Sequence, residues 1–317
     1  MLSDILPSVL LQKYQFPTLK EAIKFVHRPP SDVQMSQLME NKTQAQRRLI
    51  FEELIAHRIS LLQLKQAFQS QGGIALPSQQ TLTQQFLRQL PFALTHAQQR
   101  VVSEISHDLN RAYPMLRLVQ GDVGSGKTVV AAMAMLQALE NQQQAAMMAP
   151  TELLAEQHYR NFKRWLEPLG IEVVYLSGNV KGRARAQILE AIESGKAQVV
   201  LGTHALFQEN VVFSHLALVV VDEQHRFGVQ QRARFREKGM HDNKYPHQLV
   251  MTATPIPRTL AMTFYADLDV SVIDELPPNR TPITTSVIAS SRRDEIVARI
   301  REACEQGRQV YWVCPLI

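Results

Sequence analysis

The chain has 317 residues, of which 45% are hydrophobic and 20% are charged. This length predicts roughly two domains at ~150 residues each. The composition, with 13 glycines and 16 prolines, excludes collagen-like, low-complexity and mainly disordered chains. The formal net charge of +5, from 34 basic and 29 acidic side chains, is weak evidence by itself for a nucleic-acid partner.

Further sequence features predict a soluble, cytoplasmic protein. The apolar run at 216–221 has six residues, whereas a membrane-spanning helix needs ~20. The amino-terminal stretch lacks the basic leader and the small-residue cleavage site of a secretory signal. The only cysteines are Cys304 and Cys314, which argues against a disulfide framework and against a cysteine metal site.

Residues 1–90 are predicted to form a helical linker region. Several prolines predict irregular structure over residues 1–30. Apolar residues at helical spacing then predict one or two long helices that begin just after Ser31, which together with Gln34 resembles a capping box. A short helix is expected over 81–90. Nothing beyond helical periodicity points to chemistry here, so we expect a packing role.

From residue 92 onward, short β-rich runs alternate with amphipathic helices, and residues 91–278 are predicted to form one α/β domain. The spacing implies a parallel sheet with helices on both faces and ligands at the carboxyl ends of the strands. The predicted strands are 116–120, 145–149, 172–176, 198–201, 217–221 and 248–251. The predicted helices are 96–112, 127–141, 151–167, 181–194 and 229–238.

Residues 279–317 are expected to begin a second α/β domain. The pattern predicts a strand at 283–288, a helix at 292–305 and a strand at 309–313. A single β-α-β unit of ~35 residues cannot bury a core of its own. We therefore expect the sequence to stop inside this domain.

A candidate phosphate-binding loop follows the first predicted strand of the α/β domain. Its residues, which fit the pattern GxxxxGK[ST], are Gly121, Asp122, Val123, Gly124, Ser125, Gly126, Lys127 and Thr128. Glycines let backbone N–H groups close around phosphate oxygens, and the following helix adds the positive end of its dipole. Lys127 is expected to neutralise the β- and γ-phosphate oxygens, and Thr128 to hold Mg²⁺.

Two adjacent carboxylates end the predicted strand 217–221. Asp222 is the expected Mg²⁺ partner, and Glu223 is expected to orient and deprotonate the attacking water. An acidic strand end alone is often a solvated turn, but the phosphate loop upstream favours catalysis. Gln224 and His225 come next and are interpreted as sensors of the γ-phosphate, because one histidine without a second at metal spacing is a weak metal candidate.

Thr252 and Thr254 follow the predicted strand 248–251. Small hydroxyl residues at this point are expected to hydrogen-bond the acidic motif and to couple nucleotide state to movement. The alternative is a plain strand-to-turn transition.

Phe92, Thr95 and Gln98 precede the phosphate loop and offer an aromatic surface and an amide to an adenine edge. The same segment fits a helix start, with Thr95 as the cap and Gln98 completing a capping box. The local pattern supports both interpretations equally, and the two are compatible.

Three more segments are predicted at strand ends on the side of the phosphate loop. Their hydroxyls, backbone N–H groups and helix start suit sugar-phosphate contact without base readout. The candidate DNA contacts are Pro150, Thr151, Glu152, Ser177, Gly178, Gly202, Thr203 and His204. Two interpretations fit Lys181, Arg183 and Arg185, namely a solvated helix face and a phosphate contact. Two interpretations also fit the basic residues after the acidic motif, namely a role in coupling and a phosphate contact; these residues are Arg226, Arg232, Arg234, Arg236 and Lys238.

These motifs stand in the order of superfamily 2 helicase motifs. Five such motifs span about residues 92–280: GDVGSGKT, APTELLAEQH, LGTHAL, DEQHRFGVQQR and TATPIPRTLAMT. Their sequences resemble those of the RecG family of bacterial ATP-dependent DNA helicases. The transcription-repair coupling factor and the primosomal helicase PriA share several motifs. The LTHAQ segment, and DEQH followed by RFGVQQR, favour the RecG family over both.

The resemblance implies a DNA-dependent ATPase that remodels branched DNA at stalled forks and in recombination, with two RecA-like domains that close on Mg-ATP. It implies phosphate and Mg²⁺ binding by the phosphate loop, metal and water roles for Asp222 and Glu223, and coupling by Thr252 and Thr254. It also implies a monomer without membrane attachment and with possible partners at replication forks.

The sequence departs from this family's pattern at both ends. An oligonucleotide-binding wedge domain is expected before the helical linker, and the arginine finger and translocation hairpin would lie beyond residue 317. An arginine supplied across the cleft is worth ~10³–10⁵ in rate in related reactions. We therefore expect this chain to bind Mg-ATP, to hydrolyse it poorly and not to unwind DNA unaided.

Other classes of protein remain open. A phosphate-loop switch or a transporter-type ATPase would share Lys127 and Asp222 without needing the PTELL and TATP segments. A non-catalytic DNA-binding scaffold would tolerate loss of Lys127. RNA unwinding is a nearer alternative, because ribose-phosphate contacts alone do not identify the polymer.

Overall fold

The structure is a computed structural model that describes residues 3–223, 244–254, 268–275 and 283–314. The chain divides into two compact units, Met1–Pro277 and Pro278–Ile317. The predicted helix 229–238 lies outside the described residues. No helix in the described part of the chain is long and apolar enough to cross a membrane.

Most of the described residues in the first 70 positions are helical. Its helices are α1 (Ser8–Tyr14), α2 (Leu19–His27), α3 (Met35–Met39) and α4 (Gln44–Gln69). The prediction of irregular structure over residues 1–30 is therefore wrong. Pro7 and Pro17 stand just before α1 and α2, where a missing N–H group costs a helix nothing. Thr18 and Glu21 close a capping box at the start of α2.

The long helix α4 starts later than the sequence predicts. The expected capping box of Ser31 and Gln34 is not formed, because Gln34 itself precedes α3 and makes no side-chain cap bond. Thr43 caps α4 instead, and its hydroxyl accepts a hydrogen bond from the Gln46 N–H group at 3.3 Å. The buried guanidinium of Arg48 in α4 contacts Asp4 and also donates to the Pro17 carbonyl at 2.9 Å, which ties the amino-terminal helices together.

A seven-stranded parallel sheet forms the body of the first unit, and the predicted RecA-like fold class is confirmed. Its strands are β2 (Leu116–Gly121), β3 (Gln144–Met148), β4 (Val173–Leu176), β5 (Val199–Gly202), β6 (Leu216–Asp222), β8 (His247–Thr252) and β9 (Asp269–Ile273). They lie in the order β4-β5-β3-β6-β8-β2-β9. Within the described residues every predicted strand of this sheet is present, and β9 is an addition that the sequence reading missed.

Helices cover the sheet as the alternating pattern predicts. They are α6 (His96–Leu109), α7 (Lys127–Glu140), α8 (Glu152–Leu166) and α9 (Gly182–Glu193). The short helix predicted over 81–90 is present as α5 (Thr81–Gln89), which packs on α7 and α8. All residues of the central strands β3, β6 and β8 are buried, as expected for strands covered on both faces. Helix α7 is buried over the whole stretch 129–139, so the loop that precedes it rests on a fixed core element.

The linker joins the amino ends of the sheet strands through buried hydrogen bonds. A short strand β1 (Gly72–Gly73) pairs in parallel with β7 (Lys244–Tyr245). The ring of His247, which is fully buried, accepts from the Met115 N–H group at Nδ1 (2.9 Å) and donates from Nε2 to the Ile74 carbonyl (2.6 Å). These two bonds require the neutral Nε2–H tautomer. Burial lowers the pKa of His247 from its ordinary value of 6.5.

The second unit contains helix α10 (Arg293–Glu305), preceded by a 3-10 turn, Ser290–Arg292. The helix predicted at 292–305 is thus confirmed. The strands predicted at 283–288 and 309–313 are wrong for the described residues, which carry no strand there. Most of these side chains are exposed, and extended segments without a paired neighbour do not form a stable sheet.

Candidate nucleotide and nucleic-acid site

The phosphate loop joins β2 to α7 at the carboxyl edge of the sheet. Gly124 and Gly126 have φ angles of 80° and 88°, a left-handed conformation that glycine adopts without the strain of a side chain. A Cβ atom at Gly126 would lie 2.2 Å from the Gln98 Nε2 atom. Gly126 therefore provides both the turn into α7 and the close approach of α6.

The donors of the phosphate loop suit a bound polyphosphate. The Lys127 ammonium donates to the carbonyls of Gly121 (2.6 Å) and Asp122 (2.9 Å), which folds it over the loop. The buried Ser125 hydroxyl has no hydrogen-bond partner among the described residues. A buried orphan hydroxyl, a lysine and the amino end of a helix form a donor set that fits phosphate oxygens.

Gln98 braces the phosphate loop. Its Oε1 atom accepts from the Thr95 N–H group at 2.9 Å, and its Nε2 atom donates to the Ser125 carbonyl at 2.8 Å. The capping box predicted for Thr95 and Gln98 is present at the start of α6. Phe92 is 46% exposed and offers the open aromatic surface. Adenine contact by these residues stays a prediction.

The acidic motif stands at the end of β6 in a constrained conformation. Glu223 has φ +53°, which costs a side-chain-bearing residue about 1–3 kcal/mol and is typical of functional sites. Its carboxylate accepts from the Thr252 hydroxyl at 3.1 Å and from the Ala253 N–H group at 3.0 Å. The Thr252 hydroxyl also accepts from the Thr254 N–H group at 3.1 Å. The structure therefore brings the acidic motif and both threonines into one hydrogen-bonded group.

Strand order places this group beside the phosphate loop. Strand β8 lies between β6 and β2, and Thr252 is in register with Gln120 while Asp222 is in register with Met251. Two strand spacings put Asp222 and the phosphate loop ~10 Å apart. Thr128, in the first turn of α7, lies at the same edge.

Asp222 and Thr128 are the candidate ligands for a divalent cation at this edge. The described residues contain no group of three His, Cys, Asp or Glu side chains that could hold a metal ion by themselves. Mg²⁺ commonly takes only one or two protein ligands and completes its shell with phosphates and water. Asp222 and Thr128 match that requirement.

Sequence reasoning missed His158 on α8. Its Nε2 atom lies 2.8 Å from Asp222 Oδ2, and each of the two side chains is 12% exposed. His158 stands inside the APTELLAEQH segment. Its spacing gives no hint that the ring reaches a residue 64 positions away, so only tertiary structure reveals the contact.

The candidate DNA contacts fall into two groups by burial. Thr151, Glu152, Gly178 and His204 are exposed and Pro150 is partly exposed, whereas Ser177, Gly202 and Thr203 are buried. A Cβ atom at Gly202 would lie 1.9 Å from the Leu176 carbonyl oxygen, so this glycine serves strand packing. The buried hydroxyl of Thr203 has no partner among the described residues.

Glu152 ties two of these segments together. Its carboxylate accepts a hydrogen bond from the Asn179 amide, which links the start of α8 to the loop after β4. A carboxylate repels a phosphate backbone, so this geometry favours a bracing role over direct contact. Thr151 caps α8 by accepting from the Leu154 N–H group at 3.3 Å.

Several predicted residues receive no structural description. Gln224, His225 and the basic side chains Arg226, Arg232, Arg234, Arg236 and Lys238 lie outside the described residues. Among the other basic candidates, Lys181 and Arg183 are exposed and Arg185 donates to the Gln208 amide oxygen at 2.8 Å.

Comparison with known proteins places the chain in a family. A model of the DEAD/DEAH box helicase family matches residues 95–263, more than half of the chain. The chain belongs to the DEAD/DEAH box helicase family. Membership implies the use of ATP, in agreement with the phosphate loop and the acidic motif.

Individual relatives extend the similarity over the full chain. The ATP-dependent DNA helicase RecG of Haemophilus influenzae is 58% identical over 317 residues, which are 100% of this chain and 46% of that protein. RecG of Escherichia coli K12 is 56% identical with the same coverage of each chain. This helicase chain thus spans about half the length of the curated relatives it matches.

A solved structure of RecG bound to a three-way DNA junction has the same fold. It superposes with a TM-score of 0.82 at 38% identity, and covers 100% of this chain and 41% of that chain. The helicase MrfA bound to DNA and AMPPNP, at 15% identity and a TM-score of 0.54 over 74% of this chain, shows the shared fold alone.

Proposed function

We propose that this chain is the ATP-binding part of a DNA helicase or translocase that remodels branched DNA in repair and recombination. The observation that carries the proposal is the convergence, at one sheet edge, of the phosphate loop with the bonded pair of Glu223 and Thr252. Identity of 56–58% over the whole chain to proteins named RecG supports the choice of DNA as the substrate.

The proposed nucleotide roles follow from position. Backbone N–H groups around Gly124 and Gly126, with Lys127 and the Ser125 hydroxyl, bind the phosphates. Thr128 and Asp222 hold Mg²⁺, which neutralises charge that develops on the phosphate oxygens when it is bound.

Glu223 is the proposed general base. Both of its carboxylate oxygens accept hydrogen bonds in the structure, from Thr252 and from Ala253. These bonds hold the charged form in place at the sheet edge, and hydrogen bonds at catalytic groups commonly rearrange when substrate binds. A turn of the Glu223 side chain toward the attacking water would release Thr252. Nucleotide state would then be coupled to the segment that begins at Thr252.

The proposed DNA surface is the same edge of the sheet beyond the nucleotide. Its exposed members, Thr151, Gly178 and His204, offer a hydroxyl, a backbone N–H group and a ring nitrogen, which suit phosphate and sugar contacts. Such contacts position a polymer without reading its sequence, as expected for a motor that moves along DNA.

Nucleotide binding tests the proposal most directly. An arginine from a second motor domain contributes ~10³–10⁵ to the rate of related phosphoryl transfers, so turnover depends on more than this site. We expect the chain to bind Mg-ATP, Lys127→Ala to lose that binding, and Glu223→Gln to keep it. A titration of each protein with a fluorescent ATP analogue measures this. ATP affinity retained in Lys127→Ala would contradict the phosphate-loop assignment.

Competition between forked DNA, linear duplex DNA and RNA tests the polymer. We expect forked DNA to be bound best and to change the affinity for the ATP analogue. Preference for RNA would favour an RNA helicase. Nucleotide affinity unaffected by any nucleic acid would favour a phosphate-loop switch instead.

A further inference from the structure

His158 contacts the acidic motif from outside the strand that carries it. The residue lies in the second turn of α8, and its Nε2 atom is 2.8 Å from Asp222 Oδ2. Each side chain is only 12% exposed, so the bond is largely shielded from water. A hydrogen bond to a charged group is stronger in such a shielded place than at the surface.

The contact engages one oxygen of Asp222 and orients the other. A carboxylate that holds Oδ2 toward an imidazole N–H group presents Oδ1 at a fixed angle. Carboxylates that ligate metal ions are typically held by such a second hydrogen bond, and loss of the outer partner costs 10–100-fold in metal affinity. His158 stands where such a partner is required, on the side of Asp222 that faces α8.

Helix α8 is a rigid support for this side chain. Ala155, Phe162 and Leu166 of the same helix are fully or almost fully buried against the sheet. The hydroxyl of Thr151 caps its first turn. A ring carried by a packed and capped helix keeps its position, whereas a ring on a loop would not.

We propose that His158 is a positioning residue that orients the Asp222 carboxylate for the divalent cation of the bound nucleotide. This inference rests on the proposed function, because it concerns the cation of that site. His158 does not touch the nucleotide in this proposal, and it acts only through Asp222.

Cation binding measured separately from nucleotide binding tests the proposal. Mn²⁺ replaces Mg²⁺ as the probe, because its paramagnetism allows bound and free ion to be counted by electron paramagnetic resonance. Each protein is saturated with a non-hydrolysable ATP analogue and titrated with Mn²⁺. The affinity for the analogue in EDTA is measured in parallel, together with the melting temperature.

Three variants separate positioning from packing. His158→Ala removes the hydrogen bond. His158→Gln places an amide N–H group at about the distance of the ring Nε2 atom and so tests rescue. Gln157→Ala changes an exposed neighbour on the same helix and is the matched control.

We expect His158→Ala to bind Mn²⁺ at least about tenfold more weakly than the wild type, with unchanged affinity for the analogue in EDTA. His158→Gln should recover most of the loss, and Gln157→Ala should match the wild type. Mn²⁺ affinity unchanged in His158→Ala would overturn the proposal. So would an equal loss in His158→Gln, or a parallel loss of analogue affinity in EDTA, because both indicate a packing role.

The proposed function fails in a different way. A wild-type chain that binds neither the ATP analogue nor Mn²⁺ would overturn the nucleotide site and the role of His158 together. A wild-type chain that binds both, beside a His158→Ala variant that does the same, would overturn only the role of His158.

Discussion

The two ends of strand β8 show opposite solutions to burying polar groups. At its amino end, His247 is fully buried, and both of its ring nitrogens are hydrogen-bonded to backbone groups. One partner is the Ile74 carbonyl of the linker, and the other is the N–H group of Met115, the residue before β2. At its carboxyl end, the Thr252 hydroxyl bonds a charged carboxylate on Glu223, which has a left-handed backbone. Close by, the Ser125 hydroxyl is buried without a partner among the described residues.

This difference separates stability from function along one strand. The amino end is satisfied by the protein itself, so it holds the linker to the sheet. The carboxyl end keeps strained and unsatisfied groups that a ligand is expected to complete, as is usual at the carboxyl edge of parallel sheets. Changes at the carboxyl end should therefore affect binding, and changes at the amino end should affect the free energy of unfolding.

Among changes of the backbone at the carboxyl end, Gly126→Ala should give the largest effect. The new Cβ atom would meet the Gln98 amide at 2.2 Å, and that amide cannot move without breaking its bonds to Thr95 and Ser125. The φ of +88° at Gly126 adds strain for alanine. We expect a loss of at least about tenfold in affinity for Mg-ATP, equivalent to ~1.4 kcal/mol, measured by titration with the fluorescent analogue.

Gly170→Ala provides the matched control. Gly170 also has a positive φ, of 77°, but no atom lies within 4 Å of its Cβ position. Alanine there should cost roughly 1–2 kcal/mol of stability from backbone strain and leave nucleotide affinity unchanged. Equal losses of nucleotide affinity in both variants would mean that strain anywhere in the unit weakens the site, and the contrast between the two ends would fail.

His247→Leu should give the largest effect at the amino end. Leucine fills the space but removes the partner of the buried Met115 N–H group and of the partly buried Ile74 carbonyl. A buried unsatisfied group costs about 1–3 kcal/mol, and a partly buried one costs less. Urea unfolding should therefore show a loss of about 2–5 kcal/mol, while affinity for Mg-ATP per folded molecule stays unchanged.

His96→Leu, at the start of α6, is the control for this loss. The His96 side chain is 98% exposed, so its replacement should change stability by no more than about 0.5 kcal/mol. If His247→Leu instead weakened nucleotide binding tenfold while retaining full stability, the amino end would share the function of the carboxyl end.

The sequence predicted the carboxyl end better than the amino end for a physical reason. The phosphate loop, Asp222 and Glu223 follow from short local patterns, in which strand, loop and helix succeed one another within about a dozen residues. His247 and His158 act through partners far away in sequence, and local spacing carries no signal of such contacts.

Errors in the sequence reading also follow from weighing one local signal too heavily. The prolines of residues 1–30 predict irregular structure, yet Pro7 and Pro17 each stand just before a helix, where proline is tolerated. The apolar residues of 283–288 and 309–313 predicted strands, but a strand also needs a neighbour, which the local pattern does not reveal. The sequence pattern does not reveal the edge strand β9, whose alternation of partly buried and buried residues spans only Asp269–Ile273.

Lowering the pH should reduce the stability that His247 contributes at the amino end of β8. Burial lowers the pKa of this ring in the folded protein below its ordinary value of 6.5, so below pH 6.5 the unfolded chain binds a proton that the folded chain does not. The stability that His247 contributes is therefore fully present above pH 6.5 and is lost as the pH falls. The loss grows as the pH falls further below 6.5, because the unfolded chain then takes up the proton more completely.

The difference in unfolding free energy between the wild type and His247→Leu isolates this effect, because the other titrating groups are common to both proteins. Urea unfolding at pH 7.5 and at pH 5.5 should show the difference narrowing as the pH falls. A difference that stays constant would mean that the His247 ring takes up a proton as readily in the folded chain as in the unfolded one. His247 would then not be a neutral ring in the folded chain, and the hydrogen bonds described for it at the amino end of β8 would be wrong.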